Sequence, residues 1–230
     1  MNNSNIVVII PAYNEENGIK NVLEDIPKQY IDEIIVVNNN SIDTTAQIAM
    51  ENGATVLDEP RKGYGWACQK GLEYIKNKVT PPDIVVFLDA DYSDYPQELP
   101  DIIKPIVEDD FDLVIGSRAL GKKEKGSMTP QQIFGNWLAT FLIRLFYRMK
   151  FTDLGPFRAI KFDKLIGLNM KDKTYGWTVE MQIKAAKNHL KCFEVPVCYR
   201  RRIGFSKVSG TVKGTISAGY RIILTIIKYI

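Results

Sequence analysis

The first half of the chain alternates short runs of aliphatic, β-branched residues with stretches of helical period, and this alternation constrains the fold more than any other feature. Strands are expected at residues 6–10, 31–37, 55–57, 84–88 and 113–116, and helices at 15–26, 43–52, 64–76 and 97–108. Asp43 is placed as an N-cap and Gly53 as a C-cap. The run 84–88 is apolar at every position, as in a strand buried on both faces. Strand–helix alternation of this kind predicts an α/β fold with a doubly wound, mostly parallel sheet. In such sheets ligands sit beyond the carboxyl ends of the strands. Those ends read Pro11-Ala12-Tyr13-Asn14-Glu15, Asn38-Asn39-Asn40-Ser41, Asp89-Ala90-Asp91 and Gly116-Ser117-Arg118, all small, polar or charged.

Several classes of function are excluded early. With 30 Lys+Arg against 27 Asp+Glu the net charge is only +3, so no basic patch for nucleic acid is indicated. One histidine, His189, cannot build a multi-histidine zinc site, and no G-x-S-x-G elbow accompanies it; it reads as a polar residue on a helix surface. Cys68, Cys192 and Cys198 lack metal-ligand spacing, and an odd count without CxxC suits a reducing cytosol. The apolar run at 6–10 is too short for a signal peptide or a span, so a cytoplasmic location is expected.

Asp89 and Asp91, two residues apart where a buried strand ends, can converge on one hard cation. Mg²⁺ and Mn²⁺ prefer such oxygens and complete their shells with phosphate. The competing role for the pair is turn or helix capping. Asn39 offers an amide to a nucleobase edge, and Tyr13 a ring to pack on a base or in the core. Lys62-Gly63-Tyr64-Gly65 precedes a helix, and glycines at a helix N-terminus favour a phosphate nearby. No dinucleotide fingerprint follows the first strand, and there is no P-loop. Nucleotidyl transfer would want a Gly-rich, basic loop there, not Pro11-Ala12-Tyr13.

The second half differs. Residues 133–149 have helical period, with Phe134, Trp137, Leu138, Phe141, Leu145 and Met149 on one stripe and Arg144 and Arg148 among them. Residues 216–230 are similar, interrupted by Arg221 and Lys228. Neither reaches the roughly 20 apolar residues of a spanning helix. Lying in a membrane interface, or packing on the sheet or a partner subunit, are the alternatives. For the tail, membrane or partner contact is favoured.

In order along the chain, these segments resemble the inverting family 2 glycosyltransferases of GT-A fold, nearest the polyprenyl- and dolichyl-phosphate mannosyl- and glucosyltransferases. The resemblance rests on 8–16 with its Pro-x-Tyr-Asn-Glu core, 36–45, 62–65, Asp89-Ala90-Asp91 with Pro96, Gly116-Ser117-Arg118, 153–159, Glu180, 194–197 and 201–210. It implies one GT-A domain over 1–210, with a nucleotide-sugar half at about 1–118 and an acceptor half at about 119–210. An amphipathic C-terminal helix over 211–230 follows. It also implies transfer of a hexose from a UDP- or GDP-sugar, with Mg²⁺ or Mn²⁺ held by Asp89 and Asp91. Asp91, Arg118 and Glu180 take catalytic roles. Pro11, Ala12, Tyr13, Glu15, Asn39, Lys62, Asp89 and Ala90 meet the nucleotide sugar, and Asp153, Arg158, Arg202 and Lys207 the acceptor. A phosphate acceptor is already anionic at neutral pH, whereas a hydroxyl needs a base such as Glu180 or Asp153. Polyprenyl phosphate at a membrane surface is the expected acceptor, with a membrane partner subunit the other source of contact. A soluble enzyme acting on a hydroxyl or small phosphorylated acceptor, and a non-catalytic nucleotide-sugar-binding subunit, are the alternatives.

Overall fold

The computed structural model describes residues 4–204 and 212–229. Seven strands form one sheet: β1 (Ile6–Ala12), β2 (Glu33–Asn38), β3 (Thr55–Asp58), β4 (Ile84–Phe87), β5 (Leu113–Ser117), β6 (Arg158–Lys161) and β7 (Cys192–Pro196). Their order is β3-β2-β1-β4-β6-β5-β7. All neighbours pair in parallel except at β6, which runs antiparallel to both β4 and β5. This is the doubly wound, mostly parallel α/β sheet that the alternation predicts.

The helices are α1 (Ile19–Asp25), α2 (Thr45–Glu51), α3 (Tyr64–Lys76), α4 (Leu99–Asp109), α5 (Pro130–Tyr147), α6 (Phe162–Leu168), α7 (Trp177–Lys187) and α8 (Val212–Lys228). Side chains on a strand alternate between faces, so β1 feeds two cores at once. Val7 and Ile9 pack with Cys68, Leu72 and Ile75 of α3 and with α7. Ile6, Val8 and Ile10 pack with Val22 and Leu23 of α1, Ala49 of α2 and Ile102 of α4. β1 and β4 are buried at every position.

Several boundaries differ from expectation. α1 starts at Ile19 rather than residue 15, because the chain from 14 to 16 is tied sideways to the loop after β2. Glu15 N donates to Thr45 Oγ1 at 2.8 Å, and Asn14 Oδ1 accepts from Ile42 N at 2.9 Å. Thr44, not Asp43, is the N-cap of α2, although Asp43 Oδ1 accepts from the Thr45 amide. Asn52 is the C-cap, with Gly53 in the left-handed region just beyond it. A 3-10 turn at Pro96–Glu98 precedes α4. His189 lies exposed in a left-handed turn past the end of α7, not on a helix surface.

α5 spans Pro130–Tyr147 and opens on a capping box: Gln132 N donates to Thr129 Oγ1, and Thr129 N to Gln132 Oε1. Its apolar stripe does not face the core. Phe134 is 60% exposed and Trp137 57%, while Ala139, Thr140 and Ile143 face inward. Among the described residues no helix is long and apolar enough to cross a membrane.

Candidate active site

A cavity of about 310 Å³ opens where β1, β2 and β4 end. It is lined by Pro11, Ala12, Tyr13, Glu15, Asn39, Lys62, Gly63, Tyr64, Asp89, Ala90, Asp91, Tyr175 and Arg202. The eight residues expected to meet a nucleotide sugar, Asp89 among them, thus share one space with Asp91.

Asp91 is held by its own turn. Oδ1 accepts from Ser93 N at 3.0 Å, and Oδ2 lies 3.1 Å from Arg202 Nη1. Arg202 Nη2 also donates to Glu15 Oε1 at 2.7 Å, so its guanidinium bridges two acids of the cavity wall. Arg202, expected to meet the acceptor, instead lines the same cavity as the residues expected to meet the nucleotide sugar. Ile203 N donates to the Asp91 carbonyl at 3.0 Å and fixes the segment there.

Asp89 is half-buried, but its Oδ1 is enclosed and has no hydrogen-bond partner. Burial pushes its carboxyl up to about 7, and the Asp91 charge adds to the rise. The Tyr64 hydroxyl lies beside it, its pKa raised by burial and by the Asp89 charge. A carboxylate that ionises at this cost is relieved by a cation. The donors suit Mg²⁺ or Mn²⁺: hard oxygens, two carboxylates and one unused lone-pair site. Among the described residues no group of three or more His, Cys, Asp or Glu could hold a metal. Two carboxylates suffice for these ions where phosphate oxygens complete the shell.

Asn39 does something other than expected. Its Nδ2 donates to the carbonyls of Glu59 (3.2 Å) and Arg61 (2.7 Å), and its Oδ1 accepts from Gly63 N at 2.8 Å. The amide is spent on stapling the β3–α3 loop, which removes it from reading a base. The Gly-rich turn also departs from expectation. Gly65 N and Trp66 N donate to the carbonyls of Thr174 and Lys173, so the N-terminus of α3 is capped by protein, not open to phosphate. A Cβ on Gly65 would lie 2.3 Å from the Asp172 carbonyl oxygen, so close approach explains that glycine.

On the far side of β4, Arg118 and Asp153 form a buried pair. Arg118 Nε and Nη2 reach Asp153 Oδ2 and Oδ1 at 2.8 and 2.6 Å, and the Arg118 amide adds a bond at 2.7 Å. Glu194 steadies the loop, accepting from the amides of Thr152 and Asp153. Burial alone would raise the Asp153 carboxyl, but the Arg118 charge and its hydrogen bonds more than reverse this and hold it below the usual range. A carboxyl held low stabilises the fold in full above its unfolded pKa of about 4, and that stabilisation fades as the pH falls through the folded value. Asp153→Asn is thus expected to cost about 3–5 kcal/mol at neutral pH. The penalty shrinks toward acid, and urea midpoints measured at pH 7 and pH 3 check it.

Asp153 also lines a second cavity of about 350 Å³, walled by Ile133, Asn136, Trp137, Thr140, Phe141 and Arg144 of α5 and by Ala119, Lys123, Met128, Lys150, Phe151 and Thr152.

Two expected site residues are turned inward instead. Arg158 is fully buried on β6; Nε donates to the Gly155 carbonyl at 2.9 Å, Nη1 to Thr178 O at 3.1 Å and Nη2 to Leu154 O at 2.9 Å. It holds backbone, which removes it from an acceptor. Glu180 is fully buried too, paired with Lys184 and accepting from the amides of Lys171 and Asp172 and from the Tyr229 hydroxyl. With its oxygens so occupied it is not placed as a general base. Lys207 lies outside the described residues.

Tyr64 and Tyr175 line the same cavity with no role expected of either from sequence, and Asp94 is a third such residue nearby. Both Asp94 oxygens are buried without partners, and burial, with the Asp89 charge, raises its pKa well above normal. The position of Asp94 three residues after Asp91 was the available signal.

The model of the family described as "Glycosyl transferase family 2" matches residues 7–168. An uncharacterised glycosyltransferase of Mycobacterium tuberculosis is 34% identical, covering 93% of this chain and 94% of its own length. A UDP-N-acetylglucosamine–dolichyl-phosphate N-acetylglucosaminyltransferase of Methanococcus voltae is 33% identical over 84% of each chain. Among solved structures, glucosyl-3-phosphoglycerate synthase from Mycobacterium tuberculosis, in complex with Mn²⁺, UDP-glucose and phosphoglyceric acid, superposes with a TM-score of 0.77. It does so at 22% identity, over 99% of this chain and 80% of that one, and shows the GT-A fold.

Proposed function

Since the chain belongs to glycosyl transferase family 2, we propose that it moves a hexose from a UDP- or GDP-sugar to a polyprenyl phosphate presented at a membrane surface, with inversion at the anomeric carbon. The observation that carries this is the single cavity shared by Tyr13, Lys62, Asp89, Asp91 and Arg202. Tyr13 offers a face to the base, and Lys62, 3.3 Å from the Tyr13 hydroxyl, a charge beside it. Asp89 and Asp91 would hold Mg²⁺ or Mn²⁺. The ion supplies positive charge for the departing nucleoside diphosphate. Arg202, already between Glu15 and Asp91, adds a second charge on the leaving-group side.

A phosphate oxygen of the acceptor forms the new bond to the anomeric carbon as the bond to the diphosphate breaks. It needs no base, which suits a site where Glu180 is committed to structure and Asp153 is held as a weak base by Arg118. It needs cations and room for an apolar chain. The second cavity offers both: Lys123, Arg144 and Lys150 on its wall, beside Ile133, Trp137 and Phe141. Guanidinium and ammonium groups bind phosphate. The Methanococcus relative, whose name gives a dolichyl phosphate acceptor, supports the same class.

Purified protein given radiolabelled UDP- and GDP-hexoses and undecaprenyl phosphate is expected to yield an organic-extractable product. EDTA should stop the reaction, and Mg²⁺ or Mn²⁺ should restore it. Label entering only a soluble phosphorylated acceptor would overturn the lipid assignment. No transfer or hydrolysis with any donor would favour a non-catalytic subunit.

A further inference from the structure

The face formed by α5 and α8 has a composition unlike the rest of the molecule. Phe134, Trp137, Phe141 and Leu145 of α5 are 48–60% exposed, and Tyr220 and Ile227 of α8 62% and 57%. The helices are joined: the Tyr147 hydroxyl donates to the Ile226 carbonyl at 2.6 Å. Phe134, Trp137 and Phe141 follow one another with ring centroids 5.8 Å apart. Monomeric proteins rarely leave so large a contiguous apolar area to water.

Charge says what covers it. Residues 125–152 contain no Asp or Glu, and neither do residues 195–230, although the chain has 27 acids in all. Those two segments carry Lys125, Arg144, Arg148 and Lys150, and then seven further Arg and Lys. Arg144, Arg148, Lys150, Arg221 and Lys228 are all exposed. A second copy of the chain fits poorly, because a two-fold interface sets each patch against itself and would bring cations together with no acid of the patch to neutralise them. An anionic surface with an apolar interior matches both properties.

We propose that α5 and α8 lie flat on an anionic lipid bilayer, with their aromatic and aliphatic side chains among the headgroups and upper acyl chains and the basic residues at the phosphates. Amphipathic helices with basic polar residues and Trp, Phe and Leu on the apolar side bind membranes in this way, and Trp favours that depth. Ile133, Trp137, Phe141 and Arg144 also wall the second cavity. Docking therefore turns the mouth of that cavity toward lipid. A prenyl phosphate can then reach the Arg118–Asp153 pair without its tail leaving the bilayer, a consequence that rests on the acceptor reading above.

Flotation of the full chain with vesicles tests this, with no donor or acceptor present. Vesicles of 30% phosphatidylglycerol in phosphatidylcholine are expected to carry the protein, with at least tenfold weaker partition to pure phosphatidylcholine. The double variant Phe134→Glu, Leu145→Glu should lower partition at least tenfold with an unchanged melting midpoint and unchanged nucleotide-sugar binding. Brominated lipid should quench tryptophan emission, and Trp137→Phe should abolish that quenching, since Trp177 is buried in the core and Trp66 is sandwiched between Arg61 and Lys173 at the start of α3, away from the α5–α8 face. Equal recovery in the soluble fraction with and without anionic vesicles would overturn the proposal. So would a dimer in sedimentation equilibrium that the double variant dissociates. Intact flotation with no transfer to undecaprenyl phosphate would defeat the acceptor reading alone. Transfer in detergent without flotation would defeat the docking alone.

Discussion

Asp91→Ala is expected to lower sugar transfer by about 10²–10³-fold, the loss typical when one preorganised electrostatic contact to a developing charge is removed. The fold should survive, because Asp91 lies in a turn at the cavity edge and its partners are Ser93 and Arg202 rather than core groups. Asp91→Asn sharpens the test. An amide oxygen still accepts from Ser93 N, so the turn stays, but the charge that would hold a divalent ion and that meets Arg202 is gone. The two variants should lose turnover alike and keep the wild-type melting midpoint. Isothermal titration with Mn²⁺ in the presence of nucleoside diphosphate should show weakened metal binding in both. A purified Asp91→Ala protein with full activity would remove the carboxylate pair from the mechanism.

The second large effect falls on stability. Arg158→Leu is expected to destabilise the chain by about 3–5 kcal/mol. The substitution strands the carbonyls of Leu154, Gly155 and Thr178 without their donors and leaves a hole where the guanidinium packed. For a chain of this size that is a fall in melting midpoint on the order of 10 °C. Burial also pulls the Arg158 pKa down to about 10, so the charge itself is held against desolvation, eased at neutral pH by the Asp153 carboxylate nearby. Had Arg158 faced an acceptor, its loss would raise KM for that acceptor and spare the midpoint. Calorimetry beside acceptor kinetics separates the two roles.

These two arginine and aspartate cases show where sequence reasoning reaches and where it stops. Strand ends were legible because an apolar run that stops abruptly at Pro11, Asn38 or Asp89 marks both the element and its ligand-facing edge, and a parallel sheet brings such edges together by topology alone. The first five strands were legible for the same reason. β6, four residues reading Arg-Ala-Ile-Lys, has neither length nor a clean alternation, and β7 ends on a proline; their places depend on partners far along the chain. The roles of Asn39, Arg158 and Glu180 were illegible in a different way. Asn39 reaches backbone atoms at 59–63, Arg158 those of Leu154, Gly155 and Thr178, and Glu180 those of Lys171 and Asp172, and no local pattern encodes those distances. A motif fixes where a residue sits on its element, while the rest of the fold decides whether its polar atoms are left for a ligand. Asn39 still stands at the cavity wall, yet its amide is consumed. The exposed stripe of α5 is the converse: its period was plain, but only the packed structure shows that the large residues point outward and the small ones in.

The reversed strand β6 has a consequence for how such a chain can be recombined. β5 lies within the nucleotide-sugar half expected from sequence, yet both its ladder partners, β6 and β7, come from beyond residue 118. β4, likewise, has β6 as its neighbour on that side. A cut at residue 118 would separate β5 from both of its hydrogen-bonded neighbours and uncover one edge of β4. The two halves expected from sequence are interlaced through a common ladder, so if the proposed acceptor half holds, new acceptor preferences are better sought by exchanging the loops at 119–129 and 150–157 within an intact sheet than by splicing together halves of different proteins.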